Sequence, residues 1–282
     1  MSEAYLYFPG CNIPYRERGY EVSARAVAEK LGIELMDKPF TCCGINVEPI
    51  DEFASLLYSA RNIAIAEEEG MDLVTLCNGC YKTLKVANER LKNDENLRNE
   101  VNKKLMILGR EVKGDIEVKH FLDIIVDKID DDVIVKKVKV RVAPHIGCHA
   151  QRPSEYVDFG ADIKIDRILE LVGSTSLKYK DKDKCCGAPL LALSEEMGMT
   201  IANNKLTNMK EAGAELIVTM CPFCQVSLDT LQVKIESDFG EKYDIPSIYI
   251  TQILGIAIGI PYENLGIEEN KTNPEKVFKK DL

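Results

Sequence analysis

The sequence predicts an α/β protein built from two tandem Rossmann-like domains with parallel sheets, related to each other by internal duplication. The 282-residue chain has room for about two domains. Short apolar segments alternate with segments of helical periodicity, which indicates βαβ units with right-handed crossovers. Ten cysteines fall in one pattern that occurs twice along the chain. We therefore predict domains over 1–135 and 136–262, followed by a polar tail over 263–282.

In the first half, apolar strands end close to cysteines and helices end at glycines. The first strand leads to Cys11, and helical spacing of apolar residues continues until Gly32 and Gly70. The predicted order is strand 4–8, helix 20–31, strand 33–36, helix 51–69, strand 73–76, and a strand with an apolar helix over 116–129. The charged stretch at about 84–108 has no counterpart in the second half, so we expect an inserted helical arm there.

The second half repeats this order of elements. The predicted elements are strand 139–143, helix 163–172, strand 175–179, helix 194–212, strand 215–220, and a strand with an apolar helix over 247–258. In parallel sheets of this kind, the loops at the carboxyl ends of the strands gather at one edge, where ligands bind. We therefore expect one candidate site at that edge of each half.

Composition and charge exclude several classes of function. Hydrophobic residues make up 45% of the chain and charged residues 29%, which is typical of a soluble globular protein. The formal net charge of −10 argues against nucleic acid as the main partner, because phosphate binding needs a basic face. No segment reaches the ~20 apolar residues of a membrane span. The start lacks the basic and apolar regions of a secretion signal, so we expect a cytoplasmic protein.

The cysteines repeat as one cysteine, then Cys-Cys-Gly, then Cys-x-x-Cys. The first copy consists of Cys11, Cys42, Cys43, Cys77 and Cys80, and the second of Cys148, Cys185, Cys186, Cys221 and Cys224. No cysteine is left over. Each group of cysteines comes shortly after a predicted strand, so the five thiols of one half can meet at the same edge of its sheet.

Several chemistries compete for five clustered thiols. Disulfides are disfavoured because cytosolic thiols stay reduced and five per half is an odd number. Structural zinc uses four thiolates and leaves the fifth unexplained. A thioredoxin-like reaction needs only one Cys-x-x-Cys pair. An iron–sulfur centre fits best, since it takes four or five thiolates from separate loops and accepts neighbouring cysteines on different irons.

The duplicated motif resembles that of the heterodisulfide reductase B subunit, in the duplicated CCG cysteine-rich domain family. The resemblance implies an oxidoreductase of methanogenesis, the catalytic subunit that reduces the coenzyme M–coenzyme B mixed disulfide to two thiols. It also implies two non-cubane [4Fe–4S] clusters that act in electron transfer. One would be held by Cys11, Cys42, Cys43, Cys77 and Cys80, and the other by Cys148, Cys185, Cys186, Cys221 and Cys224.

The resemblance further implies partners and a small anionic substrate. The partners would be the ferredoxin-like C subunit and the flavin-containing A subunit of heterodisulfide reductase, with a hydrogenase or formate dehydrogenase module as a further option. Because the substrate ends in a sulfonate and a phosphate, we expect cations beside the clusters. Arg16 and Arg18 follow Cys11, and Arg152 follows Cys148, so these three are the candidate substrate contacts.

The three histidines have different expected roles. His149 is a candidate for hydrogen bonding near the second cluster or for proton delivery to a product thiolate. His145 and His149 have the spacing of a metal pair, but Gly147 between them argues against a helix. His120 lies at a predicted strand-to-helix corner, where we expect a structural role.

Two other functions stay open at this point. One is a CCG-type electron-transfer subunit of another oxidoreductase complex, such as those for glycolate, lactate, glycerol-3-phosphate or succinate, or a reductase of a different disulfide. The other is a zinc-stabilised scaffold without catalysis. The chain has no Cys-x2-Cys-x2-Cys-x3-Cys run, which favours a separate B subunit over a fused electron-transfer chain.

Overall fold

Each half of the protein is built on a four-stranded parallel sheet. The computed structural model describes residues 3–278. The first sheet has the order β2-β1-β3-β4, with β1 (Glu3–Phe8), β2 (Ile33–Asp37), β3 (Leu73–Thr75) and β4 (Val118–His120). The second has the order β6-β5-β7-β8, with β5 (Arg141–His145), β6 (Thr175–Ser176), β7 (Leu216–Thr219) and β8 (Ser247–Tyr249). The repeated order confirms the predicted fold class.

The strand register shows which residues of the two halves are equivalent. In the first sheet Phe8 pairs with Thr75, which pairs with His120. In the second sheet His145 pairs with Thr219, which pairs with Tyr249. Phe8 therefore corresponds to His145, and His120 corresponds to Tyr249.

Helices cover the sheets in the order that the apolar patterns predict. The first half contains α1 (Ile13–Arg16), α2 (Arg18–Lys30), α3 (Glu52–Glu69), α4 (Asn78–Asn93), α5 (Glu95–Leu105) and α6 (Phe121–Val126). The second contains α7 (Ser154–Val157), α8 (Ala161–Leu171), α9 (Glu195–Glu211), α10 (Pro222–Gln225), α11 (Gln232–Phe239), α12 (Ile250–Ala257) and α13 (Glu275–Phe278). Asp51 caps α3 and Ser194 caps α9 through their side chains, which fixes both helix starts next to the Cys-Cys-Gly loops.

Three segments differ from the simple sequence pattern. Strand β6 pairs over two residues only, because the chain turns away from β5 after Ser176 towards the second Cys-Cys-Gly loop. The predicted arm at 84–108 is the end of α4 together with α5 and a 3-10 turn, and it buries Val101 and Leu105 against the rest of the protein. In the predicted tail, Leu265 and Phe278 are buried, whereas residues 279–282 lie outside the described part.

The two halves pack against each other with approximate twofold symmetry. Helix α2 of the first half packs on α12 of the second, and α8 of the second packs on α6 of the first. Tyr20 stacks on Tyr249 with ring centroids 3.9 Å apart, and Phe159 stacks on His120 at 5.5 Å. One hydrophobic core runs through both halves. The edges that carry the cysteines are thereby held against each other.

Within residues 3–278, no helix combines the length and the apolar character that crossing a membrane requires.

Candidate metal centre

The strand ends bring the cysteines to the shared border of the two halves. Cys11 follows β1, and Cys148 begins a 3-10 turn just after β5. Cys77 is the residue before α4 and Cys221 the residue before α10, so each Cys-x-x-Cys pair spans the start of a helix. The Cys-Cys-Gly loops come between β2 and α3 and between β6 and α9.

All ten thiols form one continuous series of side-chain contacts, which we call the thiol series. Each member lies close enough to its neighbours in the series for the thiols to shift one another's pKa. The order is Cys11, Cys42, Cys43, Cys80, Cys77, Cys221, Cys224, Cys186, Cys185 and Cys148. The order in the second half mirrors that in the first. The approximate twofold axis that relates the two halves thus passes through the middle of the series.

The contact at the middle of the series joins the two halves. Cys77 of the first half and Cys221 of the second lie next to each other there, and both side chains are buried. At the ends of the series, Cys11 is exposed and Cys148 is half-buried. Solvent and small molecules therefore reach the ends of the series more readily than its middle.

Neighbouring thiols strongly shift each other's protonation. The pKa of Cys42 and of Cys185 is held far below that of a free thiol, because each accepts hydrogen bonds from two thiols. The pKa of Cys11 and of Cys148 is raised, first by hydrogen bonding to that neighbour and then by burial. Ten thiolates in contact repel one another, so full deprotonation of the series needs bound cations.

Glycines bring the backbone close to the sulfur atoms. The amide of Gly44 donates to Cys42 Sγ at 3.4 Å, and that of Gly187 donates to Cys185 Sγ at 3.3 Å. A Cβ on Gly10 would lie 2.9 Å from Cys80 Sγ, and one on Gly147 would lie 3.1 Å from Cys224 Sγ. The protein has thus left space beside the thiols in both halves that a larger residue would fill.

These features fit an iron–sulfur centre. All ten cysteines are free thiols rather than disulfides. Thiolates that converge from separate loops are the usual ligands of such centres, and backbone amides beside the sulfurs tune them. Among the described residues, the ten members of the thiol series could hold such a centre.

The glycine at position 10 allows a direct test of this fit. Gly10→Ala should lower the iron content per chain to about half that of the wild type, because the added methyl group meets Cys80 Sγ. Gly32→Ala is the matched control, since Gly32 has nearly the same φ (+71° against +69°) but no heavy atom within 4 Å of the new Cβ. Both variants carry a backbone strain of about 1–2 kcal/mol. Equal iron content in the two variants would contradict a role of Gly10 in making room for the centre.

The predicted substrate contacts lie at the surface of the protein. Arg16 ends α1 and Arg18 begins α2, and both side chains are exposed. Arg152 is also exposed, and its guanidinium lies 3.8 Å from a carboxylate oxygen of Asp183. All three remain predicted contacts.

His149 lies where the two halves meet. It is half-buried in the 3-10 turn that Cys148 begins, and its Nδ1 lies 3.8 Å from the position of a Cβ on Gly79. Gly79 stands between Cys77 and Cys80 of the first half. The imidazole expected near the second group of thiols therefore also borders the first group.

His120 has the surroundings of a structural residue. It is fully buried, its Nδ1 accepts a hydrogen bond from the amide of Leu122, and its ring stacks on Phe159. Burial lowers the pKa of its imidazole to about 4.

Asn78 is a residue of the site that the cysteine pattern does not predict. Asn78 Nδ2 donates to the carbonyl of Ile146 at 2.5 Å, across the border between the halves. Its Oδ1 is buried and has no hydrogen-bond partner among the described residues. Its place inside the first Cys-x-x-Cys was the available signal.

Sequence analysis gave His145 no role near the thiols. A ring nitrogen of His145 lies within 4.8 Å of the sulfurs of Cys186 and Cys224. The strand register and the folding of the second Cys-Cys-Gly loop bring these residues together. No local sequence pattern therefore predicts that they lie close to each other.

Comparisons with known proteins match both copies of the cysteine pattern. The model of the CCG cysteine-rich domain matches the chain twice, over 5–85 and 142–229. The B subunit of the Ferredoxin/F(420)H(2)-dependent CoB-CoM heterodisulfide reductase of Methanosarcina acetivorans is 34% identical, over 93% of this chain and 92% of its own length. The 8-methylmenaquinol:fumarate reductase membrane anchor subunit of Wolinella succinogenes is 27% identical, over 98% of this chain and 100% of its own length.

A solved structure supports the fold. A hypothetical protein from Helicobacter pylori superposes with a TM-score of 0.81 at 18% identity, over 97% of this chain and 52% of that one. The sequence matches extend across both copies of the cysteine pattern. The chain therefore belongs to the duplicated CCG cysteine-rich domain family that includes the heterodisulfide reductase B subunit.

Proposed function

We propose that this protein is the catalytic subunit of a heterodisulfide reductase complex, which reduces the coenzyme M–coenzyme B mixed disulfide to two thiols. The continuous thiol series carries this proposal, because its twofold symmetry suits a disulfide that splits into two similar thiolates. The 34% identity to a heterodisulfide reductase B subunit over 93% of the chain supports it. The reaction consumes two electrons and two protons and breaks one S–S bond.

Two non-cubane [4Fe–4S] clusters are the cofactors that this function requires. Cys11, Cys42, Cys43, Cys77 and Cys80 hold one, and Cys148, Cys185, Cys186, Cys221 and Cys224 hold the other. When bound, such clusters supply one electron each, and their iron stabilises the thiolates that develop from the substrate. The contact between Cys77 and Cys221 keeps the two ligand sets close enough to serve one small molecule.

The remaining site residues bind the substrate and supply a proton. Arg16, Arg18 and Arg152 present guanidinium groups to the anionic ends of the disulfide. His149, at the border of the two thiol groups, donates a proton to a product thiolate. Electrons arrive from the ferredoxin-like C subunit and the flavin-containing A subunit, and the complex acts in the cytoplasm.

An anaerobic assay of the purified complex tests this function. We expect a reduced viologen dye to be oxidised in the presence of the mixed disulfide, by a brown sample with about eight irons per chain. A second candidate is an electron-transfer subunit of another oxidoreductase, which the 27% identity to the fumarate reductase subunit favours. An iron-replete sample that leaves the dye reduced would favour that candidate. A colourless, zinc-loaded protein of full secondary structure would end both redox proposals.

A further inference from the structure

The two halves surround their Cys-Cys-Gly loops with different residues, although the backbones correspond. Asn62 and Lys205 each lie 20 positions after the first cysteine of that motif, on α3 and α9 respectively. Both side chains are buried. Asn62 is neutral, and its amide group donates to the carbonyls of Thr41 and Cys42 behind the loop. The second half has a cation at the same place.

Lys205 has no carboxylate to balance its charge within hydrogen-bonding distance among the described residues. Its ammonium group donates to the backbone carbonyl of Asp181 at 2.6 Å and lies 5.6 Å from the centre of the Tyr179 ring. Burial lowers the pKa of this ammonium group, and the neighbouring thiols of Cys186 and Cys224 oppose that shift by favouring the charged form. A charge on a residue only 2% exposed needs a counter-charge nearby, and here the thiolates provide it.

The neighbouring strand adds a second difference. Phe8, at the end of β1, packs on Phe40 with ring centroids 5.3 Å apart. The first Cys-Cys-Gly loop therefore has apolar surroundings on this side. The equivalent residue of β5 is His145, whose ring lies near the sulfurs of Cys186 and Cys224. His145 Nδ1 contacts the hydroxyl of Tyr179 at 3.5 Å, whereas Nε2 is buried without a partner in the described part of the chain.

We propose that Lys205 and His145 make the iron–sulfur centre of the second half the more oxidising of the two, so that electrons entering this chain settle there. This inference rests on the proposed function, because it needs both centres to be present. Reduction adds negative charge to a centre, and a buried cation and polar groups aimed at its sulfurs stabilise that charge. The first centre, with Asn62 and Phe8 in these places, lacks both features. The two residues position charge and do not touch the substrate.

Variants that copy the first half into the second test the proposal. Lys205→Asn reproduces Asn62, and His145→Phe reproduces Phe8. At a fixed ambient potential, Lys205→Asn should lower the ratio of reduced to oxidised second centre about tenfold, which for one electron is about 59 mV. The reduction potential of the first centre should not change. Lys210→Met is the matched control, because Lys210 lies on the same helix but is about half exposed and should leave both couples unchanged.

The measurement is an anaerobic redox titration of the iron-loaded protein, followed by electron paramagnetic resonance. If neither variant assembles its centres, the assignment can be read from proteins that keep the Lys205 and His145 side chains. Cys43→Ala should retain the second centre, and the reduction potential of that centre should be the more positive of the two. Cys186→Ala should retain the first centre, whose reduction potential should be the more negative. The proposal would be overturned if iron-replete Lys205→Asn and His145→Phe kept the wild-type reduction potentials. It would also be overturned if the centre retained in Cys43→Ala had a more negative reduction potential than the centre retained in Cys186→Ala.

The same titration separates this inference from the proposed function. The wild-type protein could show two different reduction potentials and yet fail to reduce the mixed disulfide. That result would contradict the proposed substrate but not the inequality of the centres. A wild-type protein that reduces the mixed disulfide while both centres titrate at the same potential would overturn the inequality and leave the proposed function standing.

Discussion

Cys43→Ala and Cys186→Ala should each reduce the iron content from about eight to about four atoms per chain and abolish disulfide reduction. Cys43 joins Cys42 to Cys80 in the first half, and Cys186 joins Cys185 to Cys224 in the second. Each substitution therefore interrupts one ligand set in its middle. We expect turnover to fall to background in both variants, because the proposed reaction uses both centres.

Iron content and visible spectra of the anaerobically purified proteins check this prediction. Val233→Ala is the control, since Val233 is 64% exposed on α11 of the second half, and the iron content of this variant should not change. Loss of all iron from both cysteine variants would mean that the ten thiols hold a single centre. An iron content equal to that of the wild type in either variant would show that the substituted cysteine is not a ligand.

Tyr20→Ala should cause the largest loss of stability among single substitutions at the border of the halves. Tyr20 is fully buried, stacks on Tyr249, and donates through its hydroxyl to the carbonyl of Met220 at 3.1 Å. Truncation leaves a cavity between α2 and α12 and should cost about 3–5 kcal/mol of unfolding free energy. Because Met220 immediately precedes Cys221, we also expect weaker iron retention in the second half.

Anaerobic urea unfolding of the iron-loaded protein, followed by circular dichroism, measures this effect. Tyr15→Ala is the matched control, because Tyr15 is 86% exposed and its loss should change the unfolding free energy by less than about 0.5 kcal/mol. Phe159→Ala, in the symmetry-related stack with His120, should have an intermediate effect because Phe159 is only partly buried. A midpoint for Tyr20→Ala that equals that of Tyr15→Ala would contradict an anchoring role for this stack.

Much of the fold follows from local patterns. Helical spacing and terminal glycines predicted α3 over nearly its full length, and β1 ends at Phe8, where the predicted strand 4–8 ends. The short β6 was overestimated, because strand length depends on how far the partner strand stays within hydrogen-bonding distance. The sequence predicts an inserted helical arm at 84–108, but what its apolar face packs against depends on the tertiary structure, which buries Val101 and Leu105.

By itself the sequence determined the duplication, the α/β order and the ten candidate ligands, because periodicity and cysteine spacing are properties of neighbouring residues. Only the tertiary structure decided that Cys77 meets Cys221, that His149 borders Gly79, and that Lys205 and His145 stand behind the second group of thiols. These contacts join residues that are far apart along the chain. They form when β-strands pair and the two halves pack together, and that packing depends on the whole buried surface rather than on any local pattern.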